Sequence, residues 1–314
     1  MGDIIIKLKV IHPSLITIFI RGTMRTIKEL LQYATETLKN AGIETPVLEA
    51  GVILCHVLKC NRAYLISHND RVLKAAEFDE VTRLLKGRSE KLPLQYLLGE
   101  AEFMSLGFKV SPAVLIPRQD TEILVEKCIE LVREIGGQGT RVLDMCTGSG
   151  CIAVSIAYYC PEARVTACDV SKAALEIAKI NSERAGVQSR VEFHRGDLFE
   201  ALNGKEGFEA RFDIIASNPP YIETATVEQL QSEVRDYEPY IALDGGADGL
   251  AFYRRIVEEA PKYLVTGGYL ALEIGYNQGD SVSKLMEHSF KSVTLLKDYG
   301  GNDRVVVGRL KIKG

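Results

Sequence analysis

The hydrophobic positions of this chain follow two different periods. Between residues 24 and 92, apolar residues recur every three to four positions, as in Ile27, Leu30, Leu31, Ala34 and Leu38, which is the spacing of one helix face. From about residue 140 onwards, short apolar runs alternate with longer helical or loop segments, which indicates strands joined by helices. The pattern therefore predicts a small helical domain followed by an α/β domain.

Capping signals mark the helices of the first domain. Thr26-Ile27-Lys28-Glu29 matches a capping box, and Gly42 ends that helix. Thr45-Pro46 starts a second helix, with proline at its first position, that we expect to reach about Val57. A later helix is predicted before Gly87 on the apolar positions Phe78, Val81, Leu84 and Leu85. We interpret these apolar stripes as core.

Seven runs in the second part of the chain are predicted strands: 142–144, 165–168, 191–195, 214–217, 269–274, 292–297 and 304–310. Helical or loop segments separate the first five, which predicts right-handed crossovers and a mostly parallel sheet. The turn of residues 298–303 joins the last two in a hairpin, so one strand is expected to run antiparallel. Between the domains, the alternating pattern of residues 100–116 predicts another hairpin.

Composition narrows the classes of function. The 314 residues are 46% hydrophobic, enough for buried cores, and their net charge of −4 gives no support for a basic nucleic-acid surface. None of the seven cysteines has C-x-x-C spacing, so we expect no metal and predict free thiols in a reducing cytoplasm. No apolar stretch approaches the ~20 residues of a membrane span. Residues 1–23 form an extension to which no motif assigns a role, and Asp3, Lys7 and Lys9 argue against a signal peptide.

Asn218-Pro219-Pro220-Tyr221 is the most informative motif, and it follows an apolar run at residues 212–217. Proline fixes its own φ and restricts the residue before it. The Asn218 side-chain oxygen and the Pro219 carbonyl can therefore face one cleft as fixed acceptors, which suits one planar NH2 group. The alternative is that these prolines only mark a turn.

A glycine turn, Thr147-Gly148-Ser149-Gly150, connects the first predicted strand to a helix. Its glycines let the backbone approach a ligand, and the helix N-terminus offers unpaired N–H groups. Asp169 ends the second strand, where an acid suits a ribose diol. The dinucleotide fingerprint requires G-x-G-x-x-G, but Cys146 and Ala153 stand where further glycines would be expected. A nicotinamide site therefore fits poorly.

These motifs together resemble those of S-adenosylmethionine-dependent methyltransferases, and among them the protein-glutamine N5-methyltransferases that modify peptide chain release factors (the PrmC/HemK type). The resemblance runs from about Met24 to the C-terminus and is also carried by residues 92–100, 115–122, 243–250 and 301–304. Pro117-Arg118-x-x-Thr121-Glu122 is the narrower marker, because Asn-Pro-Pro-Tyr occurs in other amino-group methyltransferases.

The resemblance implies an α/β fold: a seven-stranded Rossmann-like class I methyltransferase sheet with an N-terminal helical domain and a β-hairpin linker. It implies a substrate-binding helical domain at 24–92, the linker at 93–118 and the methyltransferase domain at 119–314. The implied reaction moves a methyl group from S-adenosylmethionine, leaving S-adenosylhomocysteine, to the glutamine N5 of the Gly-Gly-Gln motif in class I release factors. We expect a cytoplasmic monomer without direct nucleic-acid or membrane contact.

On the substrate side, the resemblance implies that Asn218, Pro219 and Tyr221 are catalytic. The two acceptors would hold the glutamine amide, and Tyr221 would stack on it or simply pack. Arg118 and Glu122 either approach the substrate or brace their loop as ion-pair partners. The predicted substrate-binding residues are Asn218, Pro219, Pro220, Tyr221, Arg118 and Glu122.

On the cofactor side, residues 146–150 would line the methionine end and Asp169 would accept both ribose hydroxyls. Asp197 would border the adenine, or only cap its loop. Leu198 would cover the adenine ring. The sequence leaves two alternatives for each of two further acids. Asp144 accepts from loop N–H groups or contacts the ligand, and Glu273 faces the cleft or the solvent. The predicted cofactor-binding residues are Cys146, Thr147, Gly148, Ser149, Gly150, Asp169, Asp197, Leu198 and Asn218.

Two other functions are consistent with parts of the sequence. An N6-adenine nucleic-acid methyltransferase also presents acceptors to a flat NH2 group, but it needs a basic groove for a flipped base. A non-catalytic protein that binds a methionine derivative could share the fold. The acidic balance weighs against the first, and the intact Asn218, Pro219, Tyr221 and Asp169 weigh against the second.

Overall fold

The computed structural model describes residues 26–136, 139–203, 208 and 211–312. The extension predicted at residues 1–23 lies outside them. The chain divides into two compact units, Met1–Leu98 and Gly99–Gly314. No helix within the described ranges is long and apolar enough to cross a lipid bilayer.

The first unit is helical, as predicted. Its described helices are α1 (Ile27–Asn40), α2 (Pro46–Leu58), α3 (Arg62–Ser67), α4 (Ala75–Ser89) and α5 (Leu94–Leu98). The capping box is confirmed, because the Thr26 side chain accepts from the Glu29 N–H and the Glu29 carboxylate accepts from the Thr26 N–H. Buried faces of α1, α2 and α4 form one apolar core, so the predicted stripes serve packing.

The predicted end of α4 before Gly87 is wrong, since the helix continues to Ser89. A Cβ at Gly87 would lie 2.7 Å from Cδ2 of Leu97, so this glycine makes room for a neighbouring side chain instead of ending the helix. The short helices α3 and α5 were not predicted, because segments of this length carry too little periodicity.

The second unit begins with a hairpin, as predicted, formed by β1 (Glu100–Phe103) and β2 (Leu106–Lys109). It is shorter than the predicted range of residues 100–116, because residues 110–116 form no strand. Its turn residues Met104 and Ser105 have φ of 49° and 57°, a left-handed conformation that matches the twist of a two-residue hairpin. Such turns usually contain glycine or asparagine, so other groups must hold this one.

The remaining strands form one seven-stranded sheet, as predicted, and the structure gives their order as β5-β4-β3-β6-β7-β9-β8. The strands are β3 (Arg141–Met145), β4 (Arg164–Asp169), β5 (Val191–Arg195), β6 (Phe212–Ser217), β7 (Leu264–Glu273), β8 (Phe290–Lys297) and β9 (Asp303–Leu310). Strands β3 to β7 pair in parallel, whereas β9 runs antiparallel between β7 and β8. Strand β7 begins at Leu264, before residue 269, the predicted start. Its pairing with β6 is irregular between Leu264 and Tyr269.

Helices cover both faces of this sheet. The longer ones are α6 (Glu122–Ile135), α7 (Cys151–Tyr159), α8 (Lys172–Arg184), α11 (Ala251–Tyr263) and α12 (Gly279–Glu287), and the short α9 (Thr224–Val227) and α10 (Ser232–Arg235) follow β6. Strand residues alternate between two apolar clusters. Val142 packs with α6 and α7, whereas Leu143 packs with α11 and α12. This alternation explains why the strands are apolar on both faces.

Candidate active site

A cavity of about 310 Å³ opens at the C-terminal ends of β3, β4 and β6. This is the edge at which ligands bind in open parallel sheets. The cavity brings together most of the predicted residues, namely Arg118, Cys146, Thr147, Gly148, Ser149, Asp169, Asp197, Leu198, Asn218 and Pro220. Gly150, Pro219, Tyr221 and Glu122 do not line it.

The glycine turn is held from beneath by Asp144. The Asp144 carboxylate accepts from the Thr147 hydroxyl at 2.5 Å and from the Ala153 N–H at 3.1 Å. Asp144 is fully buried, and this burial raises its pKa to about 7 despite both hydrogen bonds. Of the two roles left open by the sequence, the contacts of Asp144 match support of the loop.

The two glycines of the turn have different surroundings. Gly148 has a φ of +55°, and a Cβ built there meets no atom within 4 Å. Gly150 has a φ of +79°, and its Cβ would lie 2.9 Å from the Cβ of Ala178 on α8. Gly148 therefore leaves the cavity side of the turn open, whereas Gly150 allows α7 and α8 to pack closely.

Asp169 connects the end of β4 to the glycine turn. Its Oδ2 accepts from the Gly148 N–H at 2.9 Å, and its Oδ1 accepts from the Ser171 N–H at 2.8 Å. Burial raises its pKa, and hydrogen bonds from the backbone partly oppose the rise. Each carboxylate oxygen has a second lone pair, so Asp169 can still accept hydroxyl groups from a ligand.

Asp197 also lines the cavity and pairs with Arg255 on α11, at 2.7 Å between Oδ2 and Nη2. Its side chain makes no cap hydrogen bond to the turn of Leu198–Leu202. Leu198 follows in a left-handed conformation, with a φ of 48°, and is buried. Apolar and acidic groups thus lie side by side at this end of the cavity.

Asn218 follows β6, and its Nδ2 donates to the Thr121 hydroxyl at 3.2 Å. Pro219 and Pro220 are buried. The segment around Gly245 holds this motif: the Gly245 N–H donates to the Ile222 carbonyl at 2.8 Å, and a Cβ at Gly245 would lie 2.6 Å from Cα of Tyr221. This contact gives a physical reason for the glycines in residues 243–250.

Tyr221 lies behind the cavity, where Gln278 Nε2 donates to its carbonyl at 3.0 Å. Its pKa is raised to about 12, first by burial and then by the nearby Glu273 carboxylate. The phenol is therefore neutral at physiological pH and offers a hydroxyl and an aromatic face, not a charge.

Of the two roles left open for Arg118, the ion pair is observed, and the contact with substrate stays a prediction. Arg118 lines the cavity and also pairs with the buried carboxylate of Glu238. The other Glu238 oxygen accepts from the Ile116 N–H at 3.3 Å. Glu122, in contrast, accepts from the Met104 N–H at 2.6 Å and so supports the hairpin turn.

Comparison with known proteins adds independent information. Residues 29–99 match the family model of the PrmC N-terminal domain, and residues 119–234 match that of the methyltransferase small domain. The release factor glutamine methyltransferase of Geobacter sulfurreducens is 42% identical over 286 residues, which cover 91% of this chain and 97% of that protein. The chain belongs to the release factor glutamine methyltransferase family. The Fusobacterium nucleatum relative of the same name is 40% identical over 94% of this chain and 83% of its own length.

A crystal structure of the hMettl16 catalytic domain in complex with MAT2A 3'UTR hairpin 6 is similar to this family member with a TM-score of 0.52. It is 17% identical and covers 80% of this chain and 92% of that one. At this identity the likeness concerns the fold alone.

The cavity of this release factor glutamine methyltransferase family member fits an adenosyl group linked to an amino acid. The glycine turn leaves open space at Gly148, and Asp169 has lone pairs to spare for a diol. Leu198, Val170 and Phe252 supply apolar surface for a flat ring. The volume of about 310 Å³ lies at the lower end of small-molecule pockets, ~300–1,000 Å³.

Some residues of the site in this family member carry no local sequence signal, because they act through distant partners. Arg255 and Glu238 pair with predicted residues that lie 58 and 120 positions away, and neither belongs to a motif. Thr121 was within a quoted segment but had no role. Glu273 is 1% exposed, so the alternative that it faces solvent is excluded.

Proposed function

We propose that this family member transfers a methyl group from S-adenosylmethionine to the side-chain N5 of the glutamine in the Gly-Gly-Gln motif of class I peptide chain release factors. The observation that most supports this is the position of Asn218. Its side chain lines the same cavity as Asp169 and the glycine turn, with its Nδ2 held by Thr121. An acceptor oxygen beside a ligand pocket suits a substrate that donates N–H groups.

The chemistry demanded of the protein is mainly geometric. An amide nitrogen is a poor nucleophile because its lone pair is delocalised into the carbonyl, while the bound sulfonium supplies an activated methyl group. Asn218 Oδ1 and the Pro219 carbonyl accept the two amide N–H bonds and so orient the nitrogen. Alignment of this kind contributes on the order of 7–11 kcal/mol in well-oriented systems.

The same acceptors act more strongly as the reaction proceeds. Positive charge develops on the amide nitrogen, and hydrogen bonds that strengthen with this charge stabilise the transition state more than the bound substrate. A strong general base is not required, because the methylated nitrogen is acidic and can release its proton to water. Tyr221 packs behind the acceptors and helps to exclude solvent.

On the cofactor side, we propose that Asp169 accepts the ribose hydroxyls and that Asp197 and Leu198 border the adenine. Residues 146–150 face the methionine end. Residues 24–92 act as a substrate-binding domain, and 93–118 as a linker. The free thiols of all seven cysteines support a cytoplasmic location, and we propose a monomer.

A methylation assay with a purified class I release factor, followed by peptide mass spectrometry, tests the proposal. We expect a mass gain of one methyl group on the glutamine of Gly-Gly-Gln, and no gain when that glutamine is replaced. Asn218→Ala should abolish the gain while S-adenosylmethionine still binds in calorimetry. If the wild-type protein binds the cofactor but does not methylate the release factor, the proposal is contradicted. Adenine-containing nucleic acids would then be tested as substrates.

A further inference from the structure

Glu273 lies immediately behind the acceptor of the proposed site. Glu273 is the last residue of β7, and the residue before it, Leu272, is paired with Ser217 of β6. Asn218 directly follows Ser217, so Glu273 and Asn218 lie side by side at the ends of the two strands. The Glu273 side chain is buried, and its Oε2 has no hydrogen-bond partner of ordinary geometry among the described residues. A buried carboxylate oxygen in this state is costly, so its presence requires a reason.

The contacts of Glu273 lead back to Asn218. Thr121 and Asn218 lie close enough to the Glu273 carboxylate to lower its pKa, and Asn218 Nδ2 donates to the Thr121 hydroxyl at 3.2 Å. Thr121 is itself buried. These three side chains therefore lie together at one wall of the cavity, which Thr121 and Asn218 line.

The charge of the carboxylate sets the direction of every bond in this network. An ionised carboxylate only accepts, and a threonine hydroxyl has a single proton. The Thr121 hydroxyl already accepts from Asn218 Nδ2, which leaves its single proton for the neighbouring Glu273 carboxylate. The asparagine must then turn its NH2 group towards Thr121 and Glu273, which directs its Oδ1 the other way, towards the cavity that Asn218 lines.

We propose that Glu273 and Thr121 are positioning residues that hold the Asn218 amide with its oxygen towards the cavity, and so select a substrate group that donates hydrogen bonds. The inference rests on the proposed function. Without the carboxylate, Thr121 could donate to Asn218 Oδ1 and the amide could rotate. Its NH2 group would then face the substrate NH2, where two donors repel each other.

This network predicts a dependence on pH. Burial is the main cause that raises the Glu273 pKa to about 7; Thr121, Arg304 and Asn218 oppose it, and Asp120 adds to it. The other titratable groups near the carboxylate are Tyr221, Tyr253 and Cys151. The pKa is raised to about 12 for Tyr221 and for Cys151, and well above 10 for Tyr253. All three groups therefore stay neutral near pH 7. Below about pH 7 the protonated Glu273 carboxyl group can itself donate a hydrogen bond. The orientation of the Asn218 amide is then no longer fixed.

The test compares Glu273→Gln and Thr121→Val with Thr121→Ser, which keeps the hydroxyl. Ser155→Ala is a matched control, because Ser155 is a buried, unpartnered polar group outside the cavity. We expect Glu273→Gln and Thr121→Val to lower kcat by about 10-fold to 100-fold. This is less than the roughly 100-fold to 1,000-fold loss for a group that contacts the reacting atoms, because both residues act through Asn218. Their S-adenosylmethionine affinity should stay within about 2-fold, which also reports folding. Thr121→Ser should retain most of the activity.

The pH profile separates positioning from general structural support. In the wild type, kcat should rise with pH through about 7, and this rise should be absent in Glu273→Gln. Unchanged kcat and an unchanged profile in both variants would overturn the inference, as would equal loss of cofactor binding. If Glu273→Gln does not fold, the contrast between Thr121→Val and Thr121→Ser decides. An inactive wild type contradicts the proposed function instead, because all variants are compared with it in the same assay.

Discussion

The backbone N–H of Gly148 donates to Oδ2 of Asp169 at 2.9 Å, which fastens the glycine turn after β3 to the end of β4. The residue proposed to bind the ribose therefore also fixes the loop proposed to face the methionine end. Both halves of the proposed cofactor site depend on one carboxylate, and a change at Asp169 should affect both.

Asp169→Ala should weaken S-adenosylmethionine binding by roughly 2–3 kcal/mol, because a hydrogen bond to a charged group contributes about 1.5–3 kcal/mol and the loop loses its anchor. This corresponds to a rise in Kd of about 30-fold to 150-fold in calorimetry. Glu176→Gln, at an exposed acid on α8, serves as the control. An affinity equal to that of the wild type would show that Asp169 does not contact the cofactor.

Gly245→Ala should lower kcat by about 10-fold or more while cofactor affinity stays unchanged, since misplacement of reacting groups by about 1 Å can cost 100-fold. The reason is that a Cβ there would lie 2.6 Å from Cα of Tyr221 and displace the Asn-Pro-Pro-Tyr segment. Gly107→Ala is the matched control, because a Cβ at Gly107 meets nothing within 4 Å. Steady-state kinetics on both variants provide the measurement, and equal kcat values would contradict the proposed role of Gly245.

Arg118→Ala should destabilise the protein, because it leaves the buried Glu238 carboxylate without its cationic partner. Loss of one member of a buried pair costs about 3–5 kcal/mol, and the exposure of Arg118, 41%, reduces our expectation to about 1–2 kcal/mol. The measurement is the free energy of unfolding from urea titration.

A double variant separates the two roles of Arg118. Adding Glu238→Gln to Arg118→Ala removes the unpaired charge and should restore much of the stability. If Arg118 also contacts the substrate, methylation should remain low in the restored protein. Activity that returns together with stability would limit Arg118 to bracing its loop.

Stability should fall as pH rises from about 4 to 7, in part because of Asp144. Its pKa of about 7 in the folded protein lies above the usual ~3.9 of the unfolded chain, so the folded state binds more protons in this window and is favoured at the acidic end. Asp144→Asn should flatten this dependence by an amount on the order of a few kcal/mol. Urea unfolding at pH 5 and pH 7.5 measures it. An unchanged slope would mean that Asp144 is ionised throughout.

Local signals made most of the fold predictable. The box at Thr26 and Glu29, the apolar runs of the strands and the glycine turn at Gly148 each specify their own conformation over a few residues. The start of β7 was missed because Gly267 and Gly268 form an irregularity, which in sequence is typical of a turn.

The motif residues of the candidate site were predictable for the same reason. The residues that form ion pairs with them were not. Arg255 lies on an amphipathic helix, where its charge is ordinary, and Glu238 belongs to an irregular segment. Only the folded chain places them beside Asp197 and Arg118. A single sequence gives no sign of such long-range pairs.

The hairpin turn at Met104 and Ser105 has a consequence for the order of folding. Two non-glycine residues in the left-handed region cost roughly 1–2 kcal/mol each, so this turn cannot nucleate its own strands. It is stabilised by Glu122 at the start of α6 and by the Tyr159 hydroxyl at the end of α7, which donates to the Met104 carbonyl at 2.6 Å. We therefore expect the hairpin to form after these helices have docked on the sheet, so substitutions in its turn should accelerate unfolding and leave the folding rate almost unchanged.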